Sequence, residues 1–299
     1  MALNMLNFPV YIPGSNLFTP GKHVPYDSEH KLLTKSFLCR YEVEWDTNIH
    51  KFMTENNWIP VVAVTLYALF IVLGRKSMEN KQPWKSRSYL AMWNFGLSLF
   101  SFCGVIRCFP NLLDNLLTMS IRDNFCLNPQ VTYGSGSTGL WVIAFILSKF
   151  PELFDTVFIV INKKPLILLH WYHHITVLLF CWNSYVTFSP MGIFFACMNY
   201  TVHGFMYGYY FLMAIRMKPK WMNPMFITTI QIVQMIAGVA LTLTGFYYYM
   251  VEKEGECYVN KENNVAAFLM YGSYLFLFCH FFFSRYFKAS VKTIEKKKV

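Results

Sequence analysis

The chain has 299 residues, of which 55% are hydrophobic, 19% aromatic and only 14% charged, and its formal net charge is +10. A soluble domain carries about 25% charged residues, so this composition excludes an ordinary soluble fold and predicts an all-α integral membrane protein. The positive charge lies in short loops between apolar runs rather than in one patch, which argues against a nucleic-acid partner and fits membrane topology.

The first 57 residues hold Pro, Asn and scattered charge without an apolar core, so no cleavable signal peptide is expected there. This segment, 1–57, receives no further assignment. A helix crossing the hydrocarbon layer needs about 20 mostly apolar residues. Seven runs answer to that description: 58–74, 89–109, 139–161, 165–182, 190–215, 223–250 and 265–287. They define one seven-span domain over 58–287, followed by a basic tail over 288–299. With seven spans the termini face opposite sides. The loops of one side, with the tail, carry sixteen Lys or Arg, against three on the other. The C-terminus is therefore expected in the cytosol and the N-terminal segment in the lumen. The last four residues, Lys296-Lys297-Lys298-Val299, resemble a cytosolic dilysine signal for retrieval to the endoplasmic reticulum.

Cys126 follows the second span and Cys257 precedes the seventh; each is the only cysteine of its loop, and both loops fall on the lumenal side. An oxidising lumen allows them to pair as a disulfide. Cys103, Cys108, Cys181, Cys197 and Cys279 lie within spans and read as small apolar packing residues.

Polar side chains then enter four successive spans. The third carries Lys149, Glu152, Asp155 and Thr156 at i, i+3, i+6 and i+7, one stripe of a continuous helix. Lys149 and Glu152 also read as a buried ion pair that neutralises the lysine, and Asp155 can orient a neighbouring histidine by accepting its ring N–H. The fourth span carries His170-Trp171-Tyr172-His173-His174, which places three imidazoles on one face. An ionisable group at mid-bilayer costs a few kcal/mol or more, so three together point to a functional site. The fifth span presents His203, Met206, Tyr207 and Tyr210 on one face. Its Gly204 and Gly208 allow another helix to approach closely, while Tyr209 and Tyr210 also fit an interfacial aromatic belt. The sixth span repeats the pattern with Thr228, Gln231 and Gln234, which interhelical hydrogen bonding would also explain. His280 in the seventh stands alone. Four polar stripes on consecutive helices predict one shared, solvated chamber.

A His-x-x-His-His cluster invites a di-iron reading, as in membrane desaturases and hydroxylases. Of eight histidines, however, His23, His30 and His50 lie in the N-terminal segment. His170, His173, His174, His203 and His280, with Glu152 and Asp155, do not fill two irons in the usual way, and zinc needs three or four converging ligands. The expectation is no metal and no cofactor. A histidine can instead act as base or nucleophile. An imidazole attacking a thioester gives an acyl-imidazole, protected in a water-poor chamber. Long apolar spans suit a fatty acyl chain, and a basic cytosolic rim suits the phosphates of coenzyme A. A non-enzymatic lipid transporter is the other alternative.

Lys149-x-x-Glu152-x-x-Asp155-Thr156, His170-x-x-His173-His174, His203-x-x-Met206-Tyr207-x-Tyr209-Tyr210 and Thr228-x-x-Gln231-x-x-Gln234, in this order, resemble the very-long-chain fatty acid elongases over roughly residues 50–299. Asn199-Tyr200-x-x-His203 and the sequence around the His box look closest to the branch acting on palmitoyl-type saturated and monounsaturated chains. The resemblance implies condensation of a long-chain acyl-CoA with malonyl-CoA to a 3-oxoacyl-CoA two carbons longer, releasing carbon dioxide and coenzyme A. It implies seven helices, six of them closing a barrel of two inverted three-helix units around an acyl tunnel sealed toward the lumen. His173 would take the acyl group, positioned by His170 and His174, with His203 binding or activating the malonyl unit. Lys149, Glu152, Asp155, Thr156, Asn199, Met206, Tyr207, Tyr210, Gln231 and Gln234 would line the substrate site. The expected partners are acyl-CoA, malonyl-CoA, membrane lipid and the other enzymes of the elongation cycle in the endoplasmic reticulum membrane, with a homo-oligomer left open.

Overall fold

The computed structural model describes residues 9–10, 19–20, 48–134, 136–253 and 255–287. The dilysine-like tail and most of segment 1–57 lie outside the described residues. Two-residue strands β1 (Pro9–Val10) and β2 (Thr19–Pro20) pair antiparallel. The other elements are helices: α1 (Asn48–Glu55), α2 (Trp58–Met78), α3 (Arg87–Thr118), α4 (Ile121–Cys126), α5 (Pro129–Thr132), α6 (Gly136–Glu152), α7 (Asp155–Ile161), α8 (Leu168–Val186), α9 (Gly192–Ala214), α10 (Pro224–Val251) and α11 (Lys261–Phe282), the last ending in a π turn, Phe283–Phe287.

Several helix starts follow from local chemistry. Asn223 accepts from the Phe226 N–H at 2.8 Å ahead of Pro224, and Asn260 accepts from the Asn263 N–H at 2.8 Å. Both satisfy an amide that has no partner within its own helix. Two boundaries differ from the sequence expectation. The second predicted span stops before Pro110, yet α3 continues through it to Thr118. Beyond the proline, the Asn115 side chain donates to the Thr132 carbonyl at 3.0 Å and the Asn124 side chain donates to the Asn115 carbonyl at 3.1 Å. These bonds hold the last turns in place despite the missing proline N–H. The third predicted span is not continuous: α6 ends after Pro151, and Leu153, Phe154 and Thr156 bond three residues back instead of four. The chain turns there before α7 begins.

Among the described residues, four helices, α2, α3, α10 and α11, are long and apolar enough to cross a membrane, and they mark an integral membrane protein. Seven spans were expected. The helices α6 to α9 fall short because the break after Pro151 shortens one segment and His, Asn, Thr and Tyr replace apolar residues in the others.

The most extensive contact runs along α3 and α9, followed by α10 with α11. Ser98 donates to the Gly204 carbonyl at 2.9 Å, and the Phe102 ring lies where a Gly204 Cβ would be crowded. Small residues thus set this close approach. Among the described residues, α3 packs on α6 and α9, α8 on α6 and α11, and α10 on α9 and α11, a closed circuit that α6 also bridges to α9. Helix α2 lies against α7 and α8. One core joins Leu112, Phe145, Trp182 and Tyr200; a second joins Phe180, Phe195, Met235 and Tyr271.

The folded unit begins before the first apolar run. Met53 of α1 is buried in the first core, and the Trp182 indole donates to Asn57 Oδ1 at 3.0 Å. His50 stacks on Phe188 with centroids 4.0 Å apart, and burial holds its imidazole below the ordinary histidine pKa.

At the end of the molecule near α4, Cys126 and Cys257 form a disulfide across 131 residues of sequence. Beside it, Arg122 pairs with Glu252 at 2.7 Å, which holds the Glu252 carboxyl below the usual glutamate range. Cys126→Ser is expected to lower stability by about 2–4 kcal/mol. Thermal unfolding of the detergent-purified protein, with and without reductant, checks this: reductant should lower the wild-type midpoint and leave the variant unchanged.

Candidate active site

Two polar clusters meet at the break between α6 and α7. In the first, Lys149 donates to Glu152 Oε1 at 2.7 Å and to Asn199 Oδ1 at 3.0 Å. Lys149 is 2% exposed and Glu152 3%, so the pair has almost no contact with solvent. Ser148 adds a hydroxyl donor to Glu152 Oε1 at 3.0 Å, and the ammonium lies over the Phe145 ring at 4.3 Å. Because an ammonium can only donate, Lys149 fixes the Asn199 amide with its oxygen toward the lysine. The amide nitrogen then donates to His203 Nε2 at 3.1 Å. A neutral His203 therefore carries its proton on Nδ1, 3.8 Å from Glu152 Oε2. That carboxylate oxygen is buried and has no hydrogen-bond partner among the described residues. It is placed to stabilise positive charge on His203.

The second cluster is built on α8. His170 Nε2 meets the Thr156 hydroxyl at 2.9 Å, and Thr156 meets the Tyr67 hydroxyl of α2 at 2.7 Å. His174 packs against His170 with centroids 4.5 Å apart and is buried, its Nδ1 without a hydrogen-bond partner among the described residues. His173 is only partly buried and lies 5.0 Å, ring to ring, from Tyr274 of α11. The Tyr274 hydroxyl donates to the His173 carbonyl at 3.2 Å and also meets the Thr176 hydroxyl. Helical spacing puts the three imidazoles together, while neighbours from α2, α7 and α11 distinguish them: His170 is tethered to Thr156, His174 is enclosed, and His173 is half-buried against Tyr274.

The expected stripe of Lys149, Glu152, Asp155 and Thr156 is split. Asp155 does not orient a histidine. It accepts from the Trp93 indole and from the Tyr207 hydroxyl, both at 2.6 Å. The turn after Pro151 shifts the register, so Lys149 and Glu152 face α9, Asp155 lies between α3 and α9, and Thr156 reaches α8. Tyr207 continues the connection, its ring 5.3 Å from that of His203. Asp155 and Thr156, adjacent in sequence, thus join the first cluster to the second.

The remaining expected residues divide. Gln231 donates to Met206 Sδ at 3.3 Å, tying α10 to α9, and Gln234 is buried. Among the described residues, Thr228 bonds only the Pro224 carbonyl of its own helix. Tyr210 is 47% exposed and packs edge-on against Tyr209, apart from the histidine clusters. His280 is exposed beside Phe276. Sequence reasoning missed Tyr67, Trp93, Ser148 and Tyr274. Tyr67, Trp93 and Tyr274 lie on helices outside the four stripes, whereas Ser148, four residues before Glu152, falls on the third stripe and was passed over. Among the described residues, no three His, Cys, Asp or Glu side chains form a group able to hold a metal ion.

Comparison with known proteins gives relatives that match most of the chain. It is 40% identical over 265 residues to very long chain fatty acid elongase 6 of Gallus gallus, covering 88% of this chain and 97% of that protein. It is 40% identical over 252 residues to very long chain fatty acid elongase 6 of Rattus norvegicus, covering 83% and 93%. It is 40% identical over 237 residues to very long chain fatty acid elongase 4 of Trypanosoma cruzi, covering 78% and 82%. The ELO family model, described as the GNS1/SUR4 family, matches residues 52–294 and so takes in both polar clusters and every helix from α2 onward. With the histidine helix, the Lys149–Glu152–Asn199–His203 network and the match all in one segment, the chain belongs to the ELO (GNS1/SUR4) family.

Proposed function

We propose that this protein condenses a long-chain fatty acyl-CoA with malonyl-CoA to a 3-oxoacyl-CoA two carbons longer, releasing carbon dioxide and coenzyme A. The observation that carries this reading is a half-buried His173 within electrostatic reach of the buried His203–Glu152–Lys149 network. Acyl transfer needs a nucleophile, and the second substrate needs a fixed charge array. The elongase names of the relatives set the substrate class.

In the first step the His173 imidazole attacks the thioester carbonyl. The C–S bond breaks, coenzyme A leaves as the thiol with the ring proton, and an acyl-imidazole remains. His170 and His174 hold the ring in position. In the second step malonyl-CoA loses its carboxylate as carbon dioxide, and the resulting enolate carbon attacks the acyl carbonyl. The new C–C bond forms as the C–N bond to His173 breaks, and the departing ring nitrogen takes up a proton from water, which restores the neutral imidazole. Glu152 and Lys149 hold His203 beside the malonyl thioester, where positive charge on its ring, balanced by Glu152, stabilises the enolate.

The α3–α6–α8–α11–α10–α9 circuit supports a six-helix barrel with α2 outside it, seven spans in all, with the acyl chain running among the helices. The sixteen-to-three charge asymmetry supports a cytosolic C-terminus in the endoplasmic reticulum membrane. The residues around Asn199, Tyr200 and His203 support palmitoyl-type saturated or monounsaturated chains.

The test is incubation of the purified protein with palmitoyl-CoA alone. Wild type should release coenzyme A and gain the mass of one acyl chain. His173→Ala should lose both signals, while His203→Ala should keep them and fail only when malonyl-CoA is added. Condensation without prior release of coenzyme A would replace the acyl-imidazole with direct attack. Arachidonoyl-CoA preferred over palmitoyl-CoA in the same assay would overturn the chain-type reading alone.

A further inference from the structure

Helix α9 ends in an unusual way. The Arg216 N–H donates to the Met213 carbonyl at 3.2 Å and the Met217 N–H to the Leu212 carbonyl at 2.9 Å, the paired bonds of a Schellman ending. The left-handed position in that motif favours glycine, but here Arg216 occupies it at φ 64°. Lys163 (φ 53°) and Phe188 (φ 52°) occupy the same position at the ends of α7 and α8. Each of those two has work inside the fold. Lys163 donates to the Glu79 and Lys81 carbonyls at 2.8 and 3.2 Å, and Phe188 stacks on His50. Arg216 has no such partner among the described residues. Its side chain lines a cavity of about 750 Å³ between the start of α3 and the end of α9.

The walls of this cavity are ordered by polarity. Arg87, Ser88 and Arg216 stand at the helix ends; Ala91, Met92, Phe95, Phe211 and Ile215 follow. Arg87 Nε donates to the Ala214 carbonyl, which fixes the guanidinium, and its two terminal amino groups have no hydrogen-bond partner among the described residues. Among the described residues, no acidic side chain lines the space. The cavity opens on the outside of the helix circuit. On α3, Trp93 turns inward to Asp155, whereas Ser88, Met92, Phe95 and Leu99 are exposed at i, i+4, i+7 and i+11. Two cations at a helix end above an apolar groove match a lipid whose phosphate lies in the interface and whose chain runs into the hydrocarbon.

We infer that this groove is a binding site for an anionic glycerophospholipid, held by its phosphate between Arg87 and Arg216 with an acyl chain along Met92, Phe95 and Phe211. It is separate from the histidine clusters and does not depend on the reaction proposed for them. Glycine at position 216 suits the left-handed backbone, so Arg216→Gly removes the ligand group without harming the fold. Ser88→Asp places a negative charge in the same groove.

The experiment is native mass spectrometry of the full chain in detergent, titrated with palmitoyl-oleoyl phosphatidylserine or with the matching phosphatidylcholine. Thermal unfolding is followed in parallel. Wild type should bind one phosphatidylserine in clear preference to phosphatidylcholine. Arg216→Gly should weaken that binding about fivefold, the effect of one cation near an anionic lipid, while unfolding at or above the wild-type temperature without lipid. Ser88→Asp should lose the preference. Equal binding of the two lipids, or either variant binding as wild type does, overturns the site. Displacement by inorganic phosphate would make it a soluble-anion site, and displacement by palmitoyl-CoA would assign it to substrate; either overturns the lipid assignment.

Discussion

Lys149→Met is expected to destabilise the protein by about 3–5 kcal/mol and to abolish elongation, because it leaves the Glu152 carboxylate buried without its counter-charge. The two side chains are 2% and 3% exposed, and the Nζ–Oε1 distance is 2.7 Å. Water cannot replace the missing ammonium. The same change releases Asn199, which Lys149 fixes, and with it the hydrogen bond to His203 Nε2. The double variant Lys149→Met, Glu152→Leu removes both charges and should recover most of the lost stability, since replacing a whole buried pair with apolar side chains is often neutral. It should recover no activity, because His203 would still lack its carboxylate. Thermal unfolding in detergent and product formation from acyl-CoA and labelled malonyl-CoA measure the two effects separately. A single variant as stable as wild type would show that the pair contributes no net stability; an active double variant would remove the network from the chemistry.

The second large effect is steric. A Cβ at Gly104 of α3 would overlap the Tyr200 ring of α9. Tyr200 cannot move aside: its hydroxyl donates to the Trp141 carbonyl at 2.8 Å, and its ring sits edge-on to Phe100 and Phe145. Overpacking of a core by even a methyl group typically costs about 1–3 kcal/mol, occasionally more, and the rigidity of this contact places Gly104→Ala at or above the top of that range. The α3–α9 interface also positions His203 and Trp93, so activity should fall with stability. Gly96→Ala on the same helix is the control. Nothing lies within 4 Å of a Cβ there, so alanine should stabilise by up to about 1 kcal/mol through helix propensity. If the two variants unfold at the same temperature, the close approach at Gly104 is not what fixes the interface. Adding Tyr200→Leu to Gly104→Ala should restore part of the loss.

The sequence already carries much of this molecule. Apolar runs located most helices to within a few residues, α3 and the broken third span excepted, because burial of apolar surface is written in local composition. The His170-x-x-His173-His174 spacing placed three imidazoles on one face, because that placement needs only the helical repeat. The elongase resemblance, drawn from four motifs in order, leads to the same family that the relatives share. Helix endings were less legible. Pro110 is carried through α3 by contacts from Thr132 and Asn124, whereas Pro151 is followed by a break; one residue type gave two outcomes, decided by its neighbours in space.

Sequence alone determined that this is a helical membrane protein with its polar chemistry on consecutive helices, since the 3.6-residue repeat and the expense of charge in hydrocarbon are both local. Tertiary structure alone decided what each polar group does. The register shift after Pro151 gives Asp155 to Trp93 and Tyr207 rather than to a histidine. Helix α2 supplies Tyr67 through Thr156, and α11 supplies Tyr274. Met53 joins the core from a segment that composition left unassigned. Each of these depends on which helix lies beside which. That is set by long-range packing, above all the close approach of α3 and α9, and a one-dimensional repeat carries no record of it.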